Sequence, residues 1–186
     1  MVKKILLPVE GGRIFALLTE YKRKSGTKWG VVGENAGKVG WLIMFMGEYQ
    51  HSLDDKSRIT IPAKFREGLG SSFVMTRGLD ACLFVYPRDD WNIMEQKLRS
   101  MPLSRSDARQ FIRFFFSGAA ELDLDKQGRV LIPATLRDYA GITQDCVVIG
   151  VGARVEIWDA VKWKSYSEVA AGSFNDLAQG LVDLDF

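Results

Sequence analysis

Two short stretches of this 186-residue sequence set an acid and a base four positions apart, with polar residues between them. The first is Asp54-Asp55-Lys56-Ser57-Arg58 and the second is Asp125-Lys126-Gln127-Gly128-Arg129. Across a three-residue turn, such positions face each other from adjoining strands, so Asp54 meets Arg58 and Asp125 meets Arg129. The pair has two possible uses. As a cross-strand ion pair it ties the hairpin, by roughly a few tenths of a kcal/mol. Alternatively, the carboxylate orients a guanidinium for DNA, since arginine is the usual bidentate reader of guanine O6 and N7, at about 1–3 kcal/mol of discrimination per contact. Lys56 and Lys126, at the turn tips, would add phosphate charge, which sets register and affinity but not sequence. Spacing alone places the structural use first.

Other chemistries fit poorly. Asp54, Asp55, Asp123 and Asp125 could be imagined as acid–base carboxylates. Yet the chain has one histidine, His51, no Cys/His set at metal-ligand spacing, and no glycine-rich phosphate loop. Aspartates beside a turn are commonly turn formers. The expectation is therefore no catalysis, no cofactor and no small-molecule substrate. Cys82 and Cys146 lie in apolar runs and read as buried reduced thiols, which suits a cytoplasmic protein. No apolar run approaches the roughly 18–20 residues of a membrane span.

Composition does not identify the partner. The apolar fraction of 47% and the charged fraction of 26% are ordinary for a globular protein. The net charge of +2 hides an asymmetry. Residues 1–43 hold eight Lys/Arg against three Asp/Glu, and residues 44–186 hold seventeen against twenty. A DNA-binding face must therefore be a local cluster.

The elements that position the two acid–base pairs come from an internal repeat. DDKSRITIPAKFR at 54–66 and DKQGRVLIPATLR at 125–137 match at a constant offset of 71, with six identities in thirteen positions. About one would arise by chance from ordinary composition. Gly47–Asp54 and Ala119–Asp125 read as strands, each followed by the turn and a second strand. Gly128 suits the left-handed position of a three-residue hairpin, and Ser57 occupies the matching place less comfortably. Pro62 and Pro133 open short helices, and Gly68 and Gly141 end them. Each copy runs on into a β-rich segment, Ser72–Tyr86 and Cys146–Trp158, and then into segments carrying Trp91 and Trp163. Between the copies, Ser106–Phe116 reads as a helix. Its arginines at 105, 109 and 113 oppose Phe111, Phe114 and Phe115, a pattern for core packing or subunit contact. Lys64, Arg66 and Arg137 fall on the short helices, where such charges often only solvate a face.

At these residues the sequence resembles the MraZ family of bacterial transcriptional regulators. The matching stretches are Met44-Phe45-Met46-Gly47, the two Asp-x-x-x-Arg motifs and Arg113-Phe114-Phe115-Phe116-Ser117-Gly118. The most specific is the run Leu124–Ala134. Ser57 departs from the glycine usual in the first motif. The resemblance spans about residues 44–186 and implies a mainly β fold with short helices. It implies two tandem AbrB-like swapped-hairpin units, 44–115 and 116–186, forming a pseudo-dimeric β-barrel within one chain. It further implies a ring-shaped homo-oligomer that binds direct repeats in double-stranded DNA upstream of its own division and cell-wall operon, as a repressor associated with the nucleoid. With the resemblance, Arg58 and Arg129 become DNA-reading residues oriented by Asp54 and Asp125. Lys56, Lys126, Lys64 and Arg66 stand beside them as supporting contacts. The alternative is an AbrB-like antidote that binds a toxin partner, although antidotes of that kind usually follow a single motif copy with a wrapping tail.

Residues 1–43 have no counterpart in the family pattern. Glycine-dense and without clear periodicity, they read as a disordered basic extension. A sharper expectation is that translation starts at Met44 or Met46. Trp29-Gly30-Val31-Val32-Gly33 and Lys38-Val39-Gly40-Trp41 back-translate to G-rich runs, so the segment would be operator DNA read as protein.

Overall fold

The computed structural model describes residues 4–6, 17–23, 26–32, 40–41, 44–102 and 104–180, with side chains from residue 44 to 176. The chain divides into two compact units, Met1–Met44 and Phe45–Phe186. In the first, β1 (Lys4–Leu6), β2 (Leu17–Arg23), β3 (Gly26–Val32) and β4 (Gly40–Trp41) form an antiparallel sheet in that order. The sequence was expected to leave this stretch without regular structure. The strands arise where β-branched and aromatic residues interrupt the glycines, as in Thr27-Lys28-Trp29-Gly30-Val31-Val32.

The second unit holds both repeat copies. The first copy contributes β5 (Phe45–Ser52), β6 (Arg58–Thr60), α1 (Ala63–Leu69), β7 (Ser72–Arg77), β8 (Leu83–Pro87), α2 (Arg88–Arg99) and α3 (Ser106–Ser117). The second contributes β9 (Ala120–Asp123), β10 (Arg129–Leu131), α4 (Ala134–Ala140), β11 (Asp145–Gly152), β12 (Arg154–Asp159) and α5 (Ala160–Gly180). Prolines decide where strand gives way to helix. Pro62 and Pro133 have no amide hydrogen for a ladder, so β6 and β10 stop just before them and a helix opens just after. Gly141 ends α4 in the left-handed conformation, as expected. Gly68 does not end α1. The helix runs on through Leu69, which buries against the core, and Gly70 at φ 77° takes the capping place.

Strand pairing is interleaved between the copies. β5 of the first pairs with β11 of the second, and β9 of the second pairs with β7 of the first. β8 pairs with β12 and β6 with β10. The six-stranded sheet runs β5-β11-β12-β8-β7-β9, an order that exchanging the copies leaves unchanged. Neither copy could form this sheet alone. The result is a pseudo-twofold within one chain, mainly antiparallel β with five helices among the described residues, in line with the two tandem units that the resemblance implies.

In the β6–β10 ribbon, Val130 stands opposite Ile59, its own equivalent at the offset of 71, so the dyad passes between them. Both side chains, with Ile61 and Ile132, are buried. Each contributes about 1.5–3 kcal/mol of burial beneath the hairpin turns. A second cluster holds Val74, Phe84, Tyr86, Trp91, Phe115 and Trp158. Phe115 of α3 stacks on Trp91 at 5.6 Å, so one edge of that helix is core. Phe111 and Phe114 stay 44% and 52% exposed, so the phenylalanine face expected to pack is only partly covered within the chain.

Candidate nucleic-acid interface

Each Asp-x-x-x-Arg motif closes its turn in the same way. The amide of Asp54 donates to the Arg58 carbonyl at 2.9 Å, and the amide of Ser57 donates back to the Asp54 carbonyl at 2.8 Å. Asp125, Gly128 and Arg129 repeat these bonds at 2.8 and 2.9 Å. The closing position needs a positive φ, which Gly128 adopts at 75° and Ser57 at 58°.

Within this frame the aspartate is fully used. Asp54 Oδ1 accepts the backbone amides of Lys56 and Arg58, both at 2.9 Å. Its Oδ2 accepts Arg58 Nε at 2.8 Å and lies 2.6 Å from Arg58 Nη2. Asp125 does the same for Gln127 and Arg129, with 2.9 Å to both amides, 2.8 Å to Nε and 2.7 Å to Nη2. Each guanidinium is thus held along one edge. Two of its five donors are committed, and the remaining three sit on a side chain that keeps 28% (Arg58) or 26% (Arg129) of its surface in water. The Arg58 hydrogen bonds hold the Asp54 carboxyl down at about 2, and those of Arg129 do the same for Asp125. The Asp54 hydrogen bond in turn raises the Arg58 pKa.

The two motifs are one site. Arg58 Nη1 lies 3.9 Å from Asp125 Oδ2, and Arg129 Nη1 lies 3.8 Å from Asp54 Oδ2. Two guanidiniums and two carboxylates therefore form a single dyad-centred cluster, in which each aspartate also screens the arginine of the other copy. Backbone bonds reinforce it, since Ile61 donates to the Gly128 carbonyl and Ile132 to that of Ser57. Sequence reading paired each aspartate with its own arginine. It missed the cross-dyad contacts, which no local spacing encodes.

Lys56 and Lys126 are exposed at the tips, and Lys64 is exposed on α1. Arg66 is differently placed: its Nε donates to the Ile61 carbonyl at 2.7 Å, and its guanidinium lies across Gly128 of the other hairpin. A Cβ added at Gly128 would meet the guanidinium of Arg66, which would have to shift, and the positive φ there already favours glycine. Its equivalent, Arg137, donates through Nη1 to the hydroxyl of Ser57. Thus Ser57, where glycine would be easier, gains a partner from α4. Both arginines lock a helix of one copy to the turn of the other.

Elsewhere the ionisable groups are structural. Glu156, buried among aromatic rings, accepts Arg154 Nε at 2.9 Å, Arg154 Nη2 at 2.6 Å and Trp158 Nε1 at 3.0 Å. The Arg154–Glu156 pair was legible as two residues on one face of a strand but was not singled out. Burial raises the Cys82 thiol pKa well above its usual range and pushes that of Cys146 up to about 12, so both stay protonated. His51 lies on β5, and burial lowers its pKa. Among the described residues, no group of His, Cys, Asp and Glu is placed to hold a metal, and no helix is long and apolar enough to cross a membrane.

Comparison with known proteins matches this geometry to a family. The MraZ protein family, described as antitoxin-like, matches twice in tandem, over residues 44–114 and 115–185. The chain belongs to the MraZ family. Over 141 residues, 76% of this chain, it is 62% identical to the transcriptional regulator MraZ of Syntrophomonas wolfei, covering 99% of that protein. The MraZ regulators of Natranaerobius thermophilus and Heliobacterium modesticaldum are 57% and 56% identical over 142 residues, again 76% of this chain and 99% of each relative. The two family matches meet at residues 114 and 115, within α3. MraZ proteins are named as transcriptional regulators rather than enzymes, which places this chain among DNA-binding regulators.

Proposed function

We propose that this MraZ chain reads operator DNA through Arg58 and Arg129, each presenting the outer edge of its guanidinium to a guanine. The observation that carries the reading is the cluster itself. Two arginines from different motif copies lie on one surface, each held edge-on by its own aspartate, with three donors left over. A guanidinium restrained in this way loses little further freedom on docking, which favours a bidentate contact in the major groove. Lys56, Lys126 and Lys64 add phosphate contacts, and Arg66 fixes the register of the two hairpins.

One such cluster makes few base contacts, so single-site affinity is modest. Assembly into a ring, with several clusters meeting tandem G-rich repeats, raises the effective local concentration and supplies the specificity. Phe111 and Phe114 offer apolar surface for subunit contact. In this reading the protein represses the division and cell-wall operon from repeats upstream of its own gene, working at the nucleoid. Electrophoretic shifts on duplexes carrying one to four copies of a G-rich element test it. Affinity climbs steeply with copy number if the reading holds and stays flat if it does not.

The antidote reading draws on one observation, the family's antitoxin-like description. Recovery of a single toxin-like protein at unit stoichiometry with the full chain would support it, and DNA-dependent repression without such a partner would end it.

A further inference from the structure

The β6–β10 ribbon has two faces, and the core takes only one of them. Ile59 and Val130 turn inward and are buried. Alternation along each strand therefore puts Arg58 and Thr60 of β6 on the opposite face, together with Arg129 and Leu131 of β10. The register pairs Arg58 with Leu131 and Arg129 with Thr60. Three of these four side chains are polar or charged and half-buried. The fourth is a leucine that keeps 55% of its surface in water. Directly opposed residues of an antiparallel pair stand about 4.5–5.5 Å apart at Cβ, so the isobutyl group of Leu131 flanks the side chain of Arg58.

We infer that Leu131 is a base-reading residue, whose isobutyl group packs on the C5-methyl of a thymine next to the guanine that Arg58 contacts. The inference rests on the DNA-reading role proposed above and adds an apolar contact to it. In the major groove guanine offers two acceptors, N7 and O6, whereas thymine adds a methyl group that stands out from the base edge. The longer arginine reaches the acceptors, and the shorter leucine beside it meets the methyl. Cytosine at the same place would lose the methyl contact and would turn its amino donor towards a side chain that cannot accept a hydrogen bond. Arg58 and Leu131 together thus recognise a two-base step, one base by hydrogen bonds and the other by shape.

Selection with the full-length chain from duplexes carrying a random core supplies the element on which the contact is tested. Each thymine of the selected duplex is then replaced in turn by deoxyuridine, which keeps every hydrogen-bonding atom and removes only the methyl. One replacement beside a selected guanine should weaken binding to a single-element duplex about fourfold, the worth of one apolar carbon taken out of water. Leu131→Ala should bind the thymine and deoxyuridine duplexes alike while still requiring the guanine. Because Leu131 is exposed, its melting temperature should stay close to that of the parent chain. The deoxyuridine series on the parent chain needs no variant, so it decides the matter even where the alanine destabilises the fold. Three results overturn the inference and leave the arginine reading standing: a parent chain indifferent to every replacement, a selected element with no thymine beside its guanines, or unchanged deoxyuridine sensitivity in Leu131→Ala. Selection that enriches no guanine overturns both.

Discussion

At the residue scale, the account rests on two guanidiniums restrained by two carboxylates that are fully bonded themselves. Neither carboxyl of that cluster titrates near neutrality. With both carboxyls at about 2 in the fold and near 3.8 when free, their stabilising contribution is complete above about pH 4. It is lost as the pH falls from there towards 2, because the depressed group is the one that must take up a proton. Thermal melting between pH 6 and pH 2 should therefore show the loss only below pH 4, and Asp54→Asn with Asp125→Asn should remove it. DNA affinity should stay level from pH 6 to 8. Those same asparagines keep the shape of the acceptor but release the guanidinium, so specific binding should fall about tenfold while non-specific binding changes little. Filter binding on specific and scrambled duplexes distinguishes the two.

The element scale shows what local sequence can and cannot encode. The hairpins, their left-handed closing residues and the helices after Pro62 and Pro133 were all readable, because each depends on the stereochemistry of its own few residues. Gly68 misled because capping depends on which residue the core still needs. Leu69 is buried, so the helix extends one residue past the first available glycine. The arginine stripe of α3 was read as one side of a packing or subunit-contact helix, and of the phenylalanines opposite it only Phe115 is buried. What covers the other rings is a matter of contacts distant in sequence. The cross-dyad pairs and the Arg66–Gly128 contact were hidden for the same reason. Two predictions belong at this scale. Gly128→Ala forces a Cβ into the left-handed region, at about 1–2 kcal/mol, and displaces Arg66, so melting should drop by several degrees. Phe115→Ala removes a buried ring stacked between Phe111 and Trp91, at about 3–5 kcal/mol by urea denaturation.

At the scale of the whole molecule, duplication within one chain builds a symmetric core and frees its rim to diverge. Interleaving makes the copies inseparable, since β5 and β9 each complete the sheet of the other copy. The repeat is what such a pseudo-dimer requires, but the pairing of its halves was implied by the family resemblance, and net charge said nothing about the partner. The rim lysines should show themselves through salt. Lys56→Ala and Lys126→Ala should each weaken binding on all sequences alike and lower the slope of log affinity against log salt by roughly one unit. The most direct measurement is the affinity of Arg58→Ala and Arg129→Ala for a repeat-bearing duplex, alongside their melting temperature and hydrodynamic size. Each variant is expected to lose sequence-specific binding, by roughly ten- to a hundredfold, with fold and assembly unchanged. If either variant binds the repeats as tightly as the parent protein, the dyad cluster is a hairpin clasp and the DNA is read elsewhere.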